Sequence, residues 1–271
     1  MRVIRRKALA TNEWTTKTIT AAGSELAFTE GGSGKPLLVF SEELGDPGWL
    51  KWKQELALTR TVITPQHPGF GVSPRIAWAL TIGDLGNYYA QVMVEQGWVG
   101  ADVIGFSLGG WIAAEMAAQN PAQFSSLTLV APMGIKPPSG EICDIYYYLT
   151  SDYIGRSVSN AETTPEFADL FGGEVTPEQF EGFQDATAES ARFAWQPYMN
   201  NPALSQRLGL VKDLPTKILW GDEDKIVPFS TADVYQKSIA GSKLVTFQAC
   251  GHRPEIEQTD KFLAEVNAIL S

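Results

Sequence analysis

Ala101-Asp-Val-Ile-Gly105-Phe-Ser107-Leu-Gly109-Gly110 is the stretch on which the reading of this chain turns. Ala101–Gly105 is a short apolar run that reads as a buried strand. The small residues from Ser107 to Asn120 read as a helix stopped by Pro121. Between the two lies Gly-x-Ser-x-Gly. On a strand–turn–helix this pattern makes a turn so sharp that the residues two before and two after the serine must be small. Gly105 and Gly109 meet that demand, and Gly110 adds room. Such a turn exposes the hydroxyl and puts the Leu108 N–H at a helix N-terminus, where developing negative charge is favoured. Ser107 is thus the expected nucleophile and Leu108 an expected oxyanion donor.

Outward from this turn, short apolar runs alternate with helical patterns, the signature of a mostly parallel sheet with helices on both faces. Thr16–Thr20 and Glu25–Thr29 are expected to form an opening hairpin, and Pro36–Phe40, Thr61–Thr64 and Leu127–Val130 further strands. Thr81-Ile-Gly-Asp84 starts a helix that runs to about Gln96. After Pro132 the rhythm changes, and the sequence up to Val211 offers helix-like, aromatic-rich segments without strong strands. The alternation resumes at Thr216–Trp220 and continues with a helix near Thr231–Ile239, a strand at Leu244–Phe247 and a last helix at Thr259–Leu270. One α/β core formed by residues 1–132 and 212–271, interrupted by a helical segment at 133–211, is the simplest account.

A serine hydroxyl needs a base to take its proton, and His67 and His252 are the only histidines. His252 follows the last expected strand, where catalytic groups of open α/β sheets gather. His67, in Gln66-His-Pro-Gly69, reads as a loop histidine bonded to backbone. The acid that orients the base should lie between serine and histidine in the chain, and Asp222, Glu223 and Asp224 all qualify; spacing does not choose among them.

Composition narrows the partners. With 44% apolar and 19% charged residues the chain can bury a sizeable core. Lys+Arg 21 against Asp+Glu 31 gives a net charge of −10, which disfavours nucleic acid and anionic membranes. Two cysteines, Cys143 and Cys250, make no disulfide framework or metal site, and no cofactor is expected. The basic start Met1–Lys7 lacks the apolar segment of a signal peptide, and no apolar run could span a membrane. A cytoplasmic protein acting on a small molecule, as monomer or homodimer, is expected.

Taken together, Pro68-Gly-Phe-Gly71, Gly105-Phe-Ser-Leu-Gly109, Trp220-Gly-Asp-Glu-Asp224-Lys-Ile-Val-Pro228 and Gly251-His-Arg-Pro254 resemble the α/β-hydrolase superfamily, over nearly the whole chain. The resemblance implies the α/β-hydrolase fold, with an eight-stranded type of sheet and the 133–211 insertion as a helical cap. It also implies Asp224 as the acid, three residues after the Gly of the Trp-Gly block. Relatives carry His-Gly after the third strand. Here Phe40-Ser-Glu-Glu43 stands there, so the second oxyanion donor would be the N–H of Glu43, with its side chain expected to turn away, the alternatives being a pairing with Lys51 or Lys53 or a protonated carboxyl group.

The expected activity is a serine hydrolase cleaving carboxylic esters of moderately apolar substrates through an acyl-enzyme on Ser107, of the esterase or meta-cleavage product hydrolase-like kind. Phe106, Arg192 and Trp195 are the expected substrate contacts. The alternatives are a carbon–carbon bond hydrolase of the meta-cleavage product type, with Arg192 holding a substrate carboxylate, and a non-catalytic ligand-binding protein on the same fold.

Overall fold

In strand Lys35–Phe40 alternate side chains go to opposite faces of one sheet. Leu38 and Phe40 join one core cluster, Leu37 and Val39 another. Both faces are apolar because both are covered by helices, which is why the strands read as unbroken apolar runs rather than alternating ones. The computed structural model describes residues 14–172 and 176–270; the basic segment Met1–Lys7 lies outside them.

The strands are β1 (Trp14–Ala21), β2 (Ser24–Gly32), β3 (Lys35–Phe40), β4 (Arg60–Pro65), β5 (Ala101–Phe106), β6 (Phe124–Val130), β7 (Thr216–Gly221) and β8 (Lys243–Phe247). They form one eight-stranded sheet in the order β1-β2-β4-β3-β5-β6-β7-β8. The hairpin β1–β2 and its join to β4 are antiparallel; every other pairing is parallel. The expected mostly parallel sheet is the observed one.

The helices are α1 (Lys51–Leu56), α2 (Ile82–Gln96), α3 (Ser107–Gln119), α4 (Thr150–Arg156), α5 (Pro165–Phe171), α6 (Pro177–Ala194), α7 (Leu204–Leu208), α8 (Ser230–Ser238), α9 (Pro254–Glu257) and α10 (Thr259–Asn267). Helix α2 starts where the sequence says it must. Thr81 Oγ1 accepts from the Asp84 N–H while the Asp84 carboxylate accepts from the Thr81 N–H, a capping box. Its buried face (Leu85, Tyr88, Tyr89, Val92) packs with α3 on one side of the sheet. Trp52 and Leu56 of α1 and Phe262 and Val266 of α10 cover the other.

Helices α4 to α6 belong to an excursion whose two ends are clasped together. Gly134 N–H donates to Met199 O (3.0 Å) and Asn201 N–H to Gly134 O (2.9 Å), so Gly134 and Asn200 form an isolated bridge. Gly134 has φ +98°, and a Cβ there would run into the Trp111 ring, so the clasp requires glycine.

Candidate active site

Five segments leave the carboxyl ends of parallel strands at one edge of the sheet: residues 41–43 after β3, 66–71 after β4, Ser107 after β5, Asp224 after β7 and His252 after β8. Loops of an open parallel sheet converge there, so distant stretches of chain meet without any one of them being long.

Ser107 has φ +48°, a left-handed conformation that costs a non-glycine residue about 1–3 kcal/mol. The surroundings hold it there. A Cβ on Gly105 would stand 2.6 Å from Gly109 O, one on Gly110 2.8 Å from the Pro132 side chain, and one on Gly109 would overlap the carbonyls of Phe40 and Ser41. The turn is therefore built on the absence of three side chains. The Met133 N–H donates to Ser107 O at 3.0 Å, fixing the serine from β6 as well. Ser107 Oγ is buried and has no hydrogen-bond partner among the described residues. Contacts between nucleophile and base commonly close only when substrate binds.

His252 Nδ1 and Asp224 Oδ2 are 2.7 Å apart, with both side chains buried. The other Asp224 oxygen accepts from the N–H groups of Ile226 (2.8 Å) and Val227 (2.9 Å), so the carboxylate cannot rotate away. Asp222 and Glu223 are exposed. Burial and hydrogen bonding thus single out the carboxylate that the motif resemblance implies. Burial alone would pull the His252 pKa down, but the charge and hydrogen bond of Asp224, then Glu43 and Glu42, raise it to about 9. The His252 N–H donates to Ser157 O (2.8 Å), just past α4. His67 lies elsewhere in the edge, between Tyr89 Oη (2.7 Å from Nδ1) and Ser41 O (3.1 Å from Nε2). Burial holds its pKa down to about 4.

Glu43 departs from the sequence expectation. Its carboxyl group is not paired with lysine: Lys53 binds Asp46 and Lys51 binds Asp260. Asp46 is only seven residues from Lys53 and wins by proximity in the chain. Glu43 is 1% exposed; Tyr153 Oη of α4 donates to its Oε1 at 2.6 Å, and Ser190 Oγ of α6 donates to its carbonyl at 2.8 Å. Neighbouring Glu42 pairs with Arg253, Oε1 to Nη2 at 2.6 Å. Arg253 Nε also donates to Ser157 Oγ at 2.7 Å. Ser157, Ser190 and Arg253 are site residues that the sequence reading misses, and Tyr153, expected only as one of the aromatic rings of the insertion, is tied to Glu43. Only Arg253, a cation directly after His252 facing two acidic residues after β3, leaves a trace in the sequence.

The expected substrate contacts fall in different places. The Phe106 ring packs on Trp52 (5.2 Å) and Phe262 (6.0 Å), and borders a small cavity with Glu42, Arg253 and Glu255. Arg192 Nε donates to Glu189 Oε2 (2.8 Å) and Nη1 to Ala79 O (2.5 Å), and Nη2 has no hydrogen-bond partner among the described residues. Trp195 is half exposed and sits edge-on to Tyr146 and Tyr198. Among the described residues no group of three or more His, Cys, Asp or Glu could hold a metal ion, and no helix is long and apolar enough to cross a membrane.

Residues 44–266 match the model of the alpha/beta hydrolase family. The 2-hydroxymuconate semialdehyde hydrolase of Pseudomonas sp. (strain CF600) is 28% identical over 276 residues, covering 93% of this chain and 93% of that one. Monoacylglycerol lipase abhd6-A of Xenopus laevis is 29% identical over 173 residues, 59% of this chain and 51% of that one. Among solved structures, a meta-cleavage product hydrolase from Pseudomonas fluorescens IP01 superposes with a TM-score of 0.77 at 22% identity, over 93% of this chain and 96% of that one.

Proposed function

The chain belongs to the alpha/beta hydrolase family, and on that footing we propose that this hydrolase cleaves carboxylic esters of moderately apolar substrates through an acyl-enzyme on Ser107. The observation that carries the reading is the buried 2.7 Å contact of His252 Nδ1 with Asp224, at the same sheet edge as the strained Ser107 turn. Asp224 holds the imidazole with Nε2 free to accept a proton. Ser107 Oγ attacks the carbonyl carbon as its proton passes to His252. The oxyanion is met by the N–H groups of Leu108 and Glu43. Collapse expels the alcohol, which takes the proton from His252, and a water deprotonated by His252 then releases the acid. Helices α4 to α6 act as the cap, and the ring cluster of Tyr146, Trp195 and Tyr198 supplies apolar contacts. The same reading has the enzyme acting in the cytoplasm.

A second reading, hydrolysis of a carbon–carbon bond in an anionic dienoate, is favoured by the relative whose name describes that type of substrate and which matches nearly end to end. Against it stand two carboxylates after β3 and an Arg192 already engaged by Glu189. A fluorophosphonate probe should label Ser107, read by peptide mass spectrometry, and 4-nitrophenyl butyrate should be turned over faster than 2-hydroxymuconate semialdehyde. A tenfold preference for the latter selects the second reading. Absence of labelling and of turnover leaves a ligand-binding protein.

A further inference from the structure

Glu43 carries a buried carboxyl group that the protein satisfies on one side only. Oε1 is taken by Tyr153 Oη, while Oε2 is buried and has no hydrogen-bond partner among the described residues. A carboxylate removed from water requires a counter-charge or donors on both oxygens. No cation of the described residues lies within ion-pair distance of Glu43. Arg253 answers Glu42, Arg192 answers Glu189, Lys53 answers Asp46 and Lys51 answers Asp260; Arg156 lies over the Tyr148 ring.

The group is held in place. Tyr153 and Ser190, both no more than 1% exposed, reach it from two different helices of the excursion. It also belongs to the reaction site. Its charge acts on His252, and it contributes, behind burial, to raising the pKa of Tyr153, Tyr146 and Tyr198. In geometry, Glu43 follows β3 at the sheet edge that carries Ser107 and His252, and hydrogen bonds from Tyr153 and Ser190 tie it to α4 and α6.

We propose that Glu43 is the specificity-determining residue of this site: its second oxygen receives an N–H donor of the substrate, a protonated amine above all. Tyr153 positions the carboxylate through its 2.6 Å hydrogen bond. The proposal rests on the reading of Ser107 as the nucleophile at the same sheet edge. The favoured substrate is then an ester with an ammonium group, and a carboxylate in that position is rejected. The net charge of −10 draws such a cation toward the protein.

The test uses n-hexylamine, n-hexanol and hexanoate, first as ligands in thermal-shift titrations and then as inhibitors of 4-nitrophenyl butyrate hydrolysis. At pH 8 hexylamine should bind at least tenfold more tightly than hexanoate and at least threefold more tightly than hexanol. Glu43→Gln should erase the advantage over hexanol. The kcat/KM ratio of 4-nitrophenyl 6-aminohexanoate to 4-nitrophenyl hexanoate should exceed five in the native enzyme and fall to about one in the variant. Equal binding of the three ligands, or a preference for hexanoate, overturns the proposal while leaving ester hydrolysis standing. Amine binding that is lost in Glu43→Gln, in a protein that turns over no ester, keeps the subsite and overturns only the ester reading. Because the native protein alone ranks the three ligands, a variant that fails to fold does not block the decision.

Discussion

Arg253 Nη2 lies 2.6 Å from Glu42 Oε1, and this ion pair fastens the residue after His252 to the segment that follows β3. The same guanidinium reaches Ser157 Oγ past α4 and lies 5.1 Å from the Phe171 ring of α5. Three parts of the proposed active site are thus tied to one side chain: the loop carrying His252, the segment after β3 and the excursion.

Removing one member of a buried pair strands the other, at a cost of about 3–5 kcal/mol. Arg253→Met is expected to lower the unfolding free energy by about that amount, measured by urea titration. Glu42→Gln combined with Arg253→Met should recover a large part of it. If the single variant is as stable as the native protein, the pair does not hold these segments together.

Ser107→Ala, His252→Ala and Asp224→Ala should each reduce ester turnover by about three orders of magnitude or more with the melting temperature little changed. Because such residues act as a unit, Ser107→Ala/His252→Ala should be little worse than either single variant. Asp222→Ala, at an exposed position, should keep most activity. An essential Asp222 with a dispensable Asp224 would reverse the assignment of the acid.

The proposed mechanism needs neutral His252, whose pKa burial would lower but Asp224 above all raises to about 9. kcat/KM should therefore climb through pH 7 and 8 and level off only near pH 9. Stability should run the other way. A histidine with a folded pKa above its unfolded value stabilises fully below about pH 6.5, and that contribution is lost as pH rises to about 9. Glu255, raised by burial to about 8, has the same sign, its contribution falling away above the ordinary carboxylate range. His67, held at about 4, opposes them on the acid side, costing stability as pH falls below 6.5. The melting temperature should peak between about pH 5 and 7 while activity is still rising. Coincident optima in a pH series of melting curves and rates would contradict this.

Gly105→Ala should be severely destabilising, because the added methyl would lie 2.6 Å from Gly109 O and 2.7 Å from Gly110 Cα, both backbone atoms with no freedom to yield. A loss of about 3 kcal/mol or more is expected. Gly182→Ala, in α6 with open space around it, is the control and should be neutral or slightly stabilising.

The sheet was legible because its determinants are local, whereas spacing left Asp222, Glu223 and Asp224 open and only the motif resemblance implied Asp224. Asp224 is fixed by N–H groups two and three residues on, and each strand announces itself by its own apolar run. Glu43 was not legible, because its partner Tyr153 is 110 residues away and only the folded excursion brings the two together. Arg192 lies between these cases. Glu189, three residues earlier on the same helix, is at ion-pair spacing and already argues against a free guanidinium. Helix α9 is four residues long, too short to show a period, although Pro254 and two glutamates give it a helix-start composition.

The clasp between Gly134 and Asn200 has an evolutionary consequence. Main-chain hydrogen bonds hold the two ends of the excursion side by side, so the sheet registers only where the chain departs and returns, not how far it travels. Doubling the length of such a detour costs only about 0.6 kcal/mol in closure entropy. The stretch is therefore a graft with a ready-made seam: it can grow, shrink or be exchanged for another lineage's version while the strand ends carrying Ser107, Asp224 and His252 stay in place. A descendant that trades it keeps the reaction and changes its diet, losing with Tyr153 and Ser190 the two hydroxyls that hold Glu43.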